Sequence, residues 1–214
     1  MVLDLVVIGT AITLGPLHNS AFILLLSSRR GVRQGLAFLL SWLANLIAVI
    51  AIVVLLTGAQ PPARHSAPST AAIAAKLVIG LSLMLYGAHR RRRPPHPHGP
   101  PRWAAMIDNA SPATAAGLAW LLQPWALVGA GAATTLEANL STAGDWLALT
   151  GYCLLATLSL IVMEMYALWA PANAEARLTA LRNWLGRHQE QLVVTLSLLA
   201  GLWLTAVSIY ELVT

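Results

Sequence analysis

Long apolar runs separated by short charged segments make up most of the chain. Six of them approach or exceed the roughly 20 helical residues that cross the hydrocarbon core of a bilayer. They cover residues 5–28, 36–57, 70–88, 113–136, 146–170 and 191–210. The third run has only twelve uncharged residues between Lys76 and His89, so we extend it back to residue 70 and expect Lys76 to snorkel outward. The pattern predicts an all-α membrane protein with six transmembrane helices.

Two of the runs have a proline near the middle, inside matching motifs. Residues 9–16 and 117–124 both fit Gly-x-Ala-x-x-Leu-x-Pro. Pro16 and Pro124 each remove a backbone donor and press against the carbonyl four residues earlier. A transmembrane proline often only kinks a helix, but interrupted helices at matching places in two halves are typical of a transporter's central site. We therefore predict that helices 1 and 4 are broken and that their breaks meet.

The motifs divide the chain into two halves of three helices. Since three is odd, a duplicated half must insert upside down relative to its partner. A shorter echo, Gly80-Leu-Ser-Leu83 and Gly201-Leu-Trp-Leu204, links helices 3 and 6. We predict an inverted 3+3 repeat in which residues 1–88 form the first half, 89–112 a linker and 113–214 the second half.

Arginines are concentrated in the loops that follow helices 1, 3 and 5. The set is Arg29, Arg30, Arg33, Arg90, Arg91, Arg92, Arg93, Arg102, Arg177, Arg182 and Arg187. By the positive-inside rule these loops are cytoplasmic and both termini face out. A composition that is 57% hydrophobic and 10% charged agrees with a polytopic membrane protein. The net charge of +5 then reflects topology rather than nucleic-acid binding.

Two of the predicted cytoplasmic segments have a composition of their own. Residues 89–101 are rich in proline and arginine, which favours extended polyproline II. Between residues 173 and 190, Leu178, Leu181 and Leu185 share one helical face. This spacing predicts an amphipathic helix that lies on the membrane surface before helix 6.

Polar side chains inside the apolar runs are candidate site residues, because such groups need partners or water in hydrocarbon. With the two prolines they form a predicted substrate pathway of Pro16, His18, Asn19, Asn45, Gln123 and Pro124. For Asn45, a hydrogen bond that joins two helices is the favoured interpretation.

Glu164 is the one carboxylate well inside a predicted helix. An ionised carboxylate there is costly, so it should be protonated, paired or turned to an aqueous cavity. Glu164 is therefore the candidate proton-coupling residue. The alternative is a side chain that snorkels to the cytoplasmic end or pairs with a loop arginine.

Other chemistries lack their motifs. No nucleophile elbow, H-E-x-x-H, P-loop or dinucleotide fingerprint occurs, so we expect neither an enzyme nor a cofactor. His89, His96 and His98 have no ligand-spaced cluster in a helix to receive a metal, and we interpret them as part of the linker. A single cysteine, Cys153, excludes an intrachain disulfide and dithiol chemistry.

The run from Pro16 to Gly35, PLHNSAFILLLSSRRGVRQG, resembles the first hairpin of the lysine-exporter superfamily. There a proline breaks helix 1, and a turn with arginine and glycine leads into helix 2. More narrowly, Pro101-Arg-Trp103 through Asp108, then Pro112 and Gly117, resembles one branch of that superfamily. So does the run 177–185, RLTALRNWL, with the final apolar helix. The branch is the actinobacterial peptidoglycolipid-addressing proteins, also described as sulfolipid-addressing or Sap-like, and the resemblance covers essentially the whole chain.

The resemblance implies six transmembrane helices in a bacterial plasma membrane and a role in glycolipid export or in assisting it. The family commonly has Asn-Pro-Lys in helix 4, whereas this chain has Gln123-Pro124-Trp125. Loss of that cation points to a different or less charged substrate.

We therefore expect an exporter of a glycolipid or small amphiphile, coupled to protons if Glu164 faces the central site. One alternative is an exporter of amino acids or other small polar metabolites. Another is a non-transporting membrane partner of a lipid-synthesis or export complex. Candidate partners are membrane lipids, the lipid or small-molecule substrate, proteins of such a complex and a second copy of the chain as a homo-oligomer.

Overall fold

A computed structural model of the protein describes residues 2–28, 30–56, 70–92, 110–136 and 143–213. Within these ranges all regular secondary structure is helical. The helices are α1 (Val2–Thr13), α2 (Pro16–Leu26), α3 (Gly31–Leu56), α4 (Thr70–Arg91), α5 (Pro112–Leu121), α6 (Trp125–Leu136), α7 (Ala143–Trp169) and α8 (Pro171–Val213). The prediction of extended polyproline II is wrong for residues 89–91, which form the last turn of α4 because the prolines that would interrupt a helix begin only at residue 94. The rest of the predicted segment from residue 93 on, with His96 and His98, lies outside the described residues, as do Arg29, Arg93 and Arg102.

Four of the helices, α3, α4, α7 and α8, are each long and apolar enough to cross a membrane. The pairs α1–α2 and α5–α6 meet the same criterion when each is counted as one span, which gives up to six. The first pair bends by 49° and the second by 70°. Both bends fall at the motif prolines, because Pro16 opens α2 without a backbone N–H and Pro124 directly precedes α6.

The contacts between helices show which helix ends lie at the same end of the molecule. Glu164 near the end of α7 lies beside Gly35 at the start of α3, and Arg90 at the end of α4 pairs with Glu190 in α8. Only Ala170 separates α7 from α8, so the start of α8 lies at this end as well. We call it the arginine-rich end, because it also carries the turn at Arg30. The opposite end carries Asp4 and Glu211.

The helices of the two halves pack crosswise rather than as separate bodies. The half-helix α1 packs on α7, and α5 packs on α3. In the same manner α2 packs on α8, and α6 packs on α4. The contact between α4 and α8 is the most extensive of all. Other contacts, such as α1 with α6 and α7 with α8, have no counterpart of similar extent.

Helix α8 is one continuous element of 43 residues, about 65 Å long at 1.5 Å per residue. The segment 173–190 therefore differs from the prediction, since it is the first part of this helix rather than a separate surface helix. No proline interrupts α8 after Pro171. Leu178 and Leu185 are buried in the core, whereas Leu181 is exposed.

The prediction that Lys76 snorkels outward is wrong. Its side chain is 0% exposed, and its Nζ lies 2.7 Å from Oε2 of Glu211 in an ion pair between α4 and α8. Paired with a carboxylate, the ammonium group can stay inside the protein instead of reaching for water.

Candidate functional site

The break between α1 and α2 is stabilised by local hydrogen bonds. Pro16 cannot donate, and the Ile12 carbonyl instead accepts from the Gly15 N–H at 3.0 Å. The Thr13 carbonyl accepts from Nδ2 of Asn19 at 2.8 Å. Asn19 therefore satisfies a carbonyl that the break removes from the regular helix ladder.

The break between α5 and α6 centres on Gln123 and Pro124. The Pro124 carbonyl accepts from the N–H groups of Leu127 and Val128 in the first turn of α6. The Gln123 carbonyl accepts from the Trp125 N–H at 2.9 Å. Its side chain turns inward and is 4% exposed.

Each break is also tied to a long helix of the other half. At the first break, Ser159 Oγ in α7 donates to Asn19 Oδ1 at 2.9 Å. At the second, Asn45 Nδ2 in α3 donates to Gln123 Oε1. Asn45 thus joins two helices and does not itself line the cavity described next.

The two breaks meet at one cavity of about 350 Å³. Pro16 and His18 line it from the first break, and Gln123, Pro124 and Trp125 from the second. Helices α4 and α8 complete the wall with Leu83, Tyr86, Val193, Leu196 and Ser197. The structure therefore brings together four of the six predicted pathway residues in a wall that is mainly apolar.

Two buried polar atoms on residues that line the cavity have no hydrogen-bond partner among the described residues. They are Nε2 of His18, whose side chain is 2% exposed, and Nε2 of Gln123. A buried polar group left unpaired costs about 1–3 kcal/mol. Because both residues line the same cavity, their side chains are the candidate partners for a polar part of a ligand.

His18 also belongs to an aromatic column between α2 and α3. Its ring centroid lies 4.6 Å from that of Trp42, which stacks on Phe38 at 5.9 Å. Phe22 closes the column 5.5 Å from Phe38. Gly15 leaves room for the His18 ring, because a side chain at Gly15 would collide with it. Thus one face of the imidazole is fixed by packing.

Glu164 lies away from the cavity, between α7 and α3. It is 3% exposed, and neither carboxylate oxygen has a hydrogen-bond partner among the described residues. Gly35 provides the space, since a methyl group there would collide with Oε2 of Glu164 and approach Leu26 Cδ2 to 2.7 Å. The structure therefore does not bring Glu164 to the pathway residues.

A family model described as Sap, sulfolipid-1-addressing protein, matches residues 5–210. The chain belongs to this family. No curated protein and no solved structure matches the chain. Membership of the Sap family links this multi-pass membrane protein to the addressing of lipids.

Several residues of this candidate site could not be found by looking for polar groups in apolar runs. Leu83, Val193 and Leu196 are apolar residues in apolar runs and carry no local signal that they face a cavity. Tyr86 and Ser197 are polar but were not predicted: Tyr86 lies three residues from His89, and Ser197 lies in an apolar run with no feature that sets it apart from the run's other hydroxyl residues. The similar segments that begin at Gly80 and Gly201 were the available signal that α4 and α8 contribute to the cavity wall.

Proposed function

We propose that the protein exports a glycolipid or small amphiphile across the plasma membrane, and that the cavity between the helix breaks receives its head group. One observation carries the proposal. The breaks of two spans meet in a mainly apolar cavity, and two of its lining residues, His18 and Gln123, each have a buried nitrogen without a hydrogen-bond partner among the described residues. Ligand sites of this kind combine apolar walls with a few placed polar groups.

The wall chemistry favours an amphiphile over an amino acid. Leu83, Val193 and Leu196 match an alkyl chain, while His18 and Gln123 match hydroxyl or other neutral oxygens of a head group. No lysine or arginine is among the described residues that line the cavity. Trp125 stands in the wall at the position where the family commonly has lysine, which supports a head group of low charge.

We also propose that the fold is an inverted 3+3 repeat of the kind found in the lysine-exporter superfamily. Support comes from the paired packing of α1 on α7 with α5 on α3, and of α2 on α8 with α6 on α4. The hydrogen bonds from Ser159 in α7 to Asn19 and from Asn45 in α3 to Gln123 pair the same elements of the two halves. In this arrangement the arginine-rich end is cytoplasmic and both termini face out.

We also propose that Glu164 couples transport to protons, without direct contact with the substrate. Because Glu164 lies between α3 and α7 and not in the cavity, protonation would act through the packing of these two helices. The α7 helix is tied to the first break and α3 to the second. Glu164→Gln should therefore reduce the dependence of transport on a proton gradient without changing which lipid is carried.

The experiment that tests the function compares surface-extractable with whole-cell lipids by mass spectrometry, in a deletion strain and its parent. We expect one glycolipid or amphiphile to disappear from the surface and accumulate inside. An unchanged lipid profile in a strain without close paralogues would contradict lipid export and favour a small-metabolite exporter.

A matched pair of variants on α4 separates a carrier from an assembly partner. Leu83→Trp fills the cavity, whereas Leu85→Trp adds the same bulk at a position that is 71% exposed. We expect Leu83→Trp to abolish surface delivery at normal protein levels and Leu85→Trp to complement the deletion. Full complementation by both would contradict transport through this cavity and favour a non-transporting membrane partner.

A further inference from the structure

Helices α4 and α8 touch backbone to backbone at a pair of glycines. A side chain at Gly201 would place its Cβ 2.7 Å from the Gly80 carbonyl oxygen and 2.9 Å from the Met84 nitrogen. A Cβ at Gly80 would lie 3.0 Å from the Gly201 oxygen and 2.9 Å from the Thr205 nitrogen. The two helices are antiparallel, and their backbones are in contact at this crossing, so a rocking motion of one helix on the other would pivot here.

An ion pair lies on each side of this glycine crossing. Towards the opposite end, Lys76 and Glu211 pair at 2.7 Å, and Lys76 is fully buried. Nearby along α8, Trp203 Nε1 donates to Asp4 Oδ1 at 2.9 Å, which joins α8 to α1. Towards the arginine-rich end, Arg90 and Glu190 are 3.6 Å apart, with side chains 30% and 36% exposed. The ion pair at the opposite end is therefore short and mostly buried, whereas the pair at the arginine-rich end is longer and more exposed.

The cavity lies on one side of the crossing. All its lining residues from α4 and α8 fall between the glycines and the more exposed Arg90–Glu190 pair: Leu83, Tyr86, Val193, Leu196 and Ser197. None comes from the part of either helix beyond the glycines. The cavity thus extends from the helix breaks towards the arginine-rich end.

We propose that the Lys76–Glu211 ion pair, together with the Asp4–Trp203 hydrogen bond, is the gate that closes the cavity at the end opposite the arginines. Opening requires α4 and α8 to rock about the Gly80–Gly201 crossing, so that this end separates and the Arg90 end closes. The structure is then the state that faces the arginine-rich end. A buried ion pair suits a gate, because breaking it is costly unless both charges gain water together. The proposal rests on the proposed transport function.

Cysteine accessibility tests the gate without any substrate. Cys153 is the single native cysteine and is replaced by alanine in the reporter background. Ser197→Cys then places a thiol in the cavity wall. Intact cells and inside-out vesicles are treated with a membrane-impermeant maleimide, so that each face of the membrane is probed separately. Gly186→Cys and Leu212→Cys, one near each end and both exposed, identify which face carries which end.

With the gate intact, we expect the thiol at position 197 to react only from the face that labels Gly186→Cys. Adding Glu211→Gln breaks the ion pair, and Glu211→Lys places two cations together. Labelling from the other face should rise roughly tenfold or more with Glu211→Gln and further with Glu211→Lys; tenfold corresponds to about 1.4 kcal/mol between the two states.

Two controls separate gate opening from unfolding. Arg90→Gln breaks the pair at the arginine-rich end and should leave labelling from the other face at the parent level. In proteins that retain only the buried Cys153, Glu211→Gln and Glu211→Lys should leave that thiol unreactive, since its labelling would report unfolding.

Labelling of position 197 from both faces in the reporter background would overturn the proposal. So would folded Glu211 variants that gain no labelling from the far face. The lipid comparison described above uses no labelled protein, so a failed gate and a failed transport function give different results. If lipid export fails but the labelling pattern appears, the gate serves another cargo.

Discussion

At the scale of single residues, the polar groups of the broken helices differ in whether all their hydrogen-bonding atoms have partners. Asn19 has a partner for each atom of its amide, the Thr13 carbonyl and the Ser159 hydroxyl. His18 and Gln123 each retain an unpartnered nitrogen beside the cavity. Sequence alone placed all three in one pathway, because composition does not tell a satisfied amide from an unsatisfied one.

We predict that Asn19→Ala lowers the free energy of unfolding by about 1–3 kcal/mol, because the partly buried Thr13 carbonyl loses its partner. Thermal unfolding of the purified protein in detergent measures the change. Thr10→Ala is the control on α1, since Thr10 makes a hydrogen bond only four residues back, to Val6, at an exposed position. Equal effects of the two substitutions would show that Asn19 does not hold the break.

The space that Gly35 leaves for the Glu164 carboxylate gives a second prediction, which a double-mutant cycle tests. Gly35→Ala should destabilise the protein because its methyl group collides with Glu164, and much of that loss should disappear when Glu164→Ala is also present. A coupling energy of about 0.5–3 kcal/mol is expected for residues in direct contact. Thermal unfolding of the four proteins measures it.

Gly151→Ala in α7 is the matched control, because a Cβ there meets nothing within 4 Å. It should be neutral or slightly stabilising. Additive effects of Gly35→Ala and Glu164→Ala would mean that the Glu164 carboxylate does not occupy the space beside Gly35.

At the scale of elements, helix breaks were predictable and helix continuity was not. A proline disrupts the local hydrogen-bond ladder whatever surrounds it, so Pro16 and Pro124 showed where two spans are interrupted. The charged residues before helix 6 suggested a change of environment, yet the helix runs through them from Pro171 to Val213. Polarity changes which surroundings a helix prefers, but it does not end the helix.

Continuity of α8 predicts that Gly186→Ala stabilises the protein by about 0.5–1 kcal/mol, because alanine favours a helix interior over glycine. A Cβ at Gly186 meets nothing within 4 Å, so no collision opposes the gain. Thermal unfolding and hydrogen exchange of the amides around 182–192 measure it. A destabilising effect, with fast exchange there, would indicate two separate helices.

At the scale of the whole molecule, the crosswise packing of the halves makes the α4–α8 crossing central. Gly201→Ala should lower the free energy of unfolding, whereas Gly186→Ala on the same helix should raise it. The methyl group at position 201 meets the backbone of α4 at 2.7 Å, and over-packing of this kind costs about 1–3 kcal/mol. Thermal unfolding of both variants tests the contrast, and a neutral Gly201→Ala would argue against a close crossing.

Membrane class, the number of apolar runs, the two breaks and the Sap-family relation follow from the sequence alone. Each depends on properties local to a segment: its length, its apolar content, a proline and the residues beside it. The direction of side chains around each helix was decided only by the tertiary structure. Lys76 turns to Glu211 and Glu164 turns to Gly35 because helices distant in the chain supply the charge or the space. The cavity has the same origin, since its wall combines segments of the chain that only packing brings together.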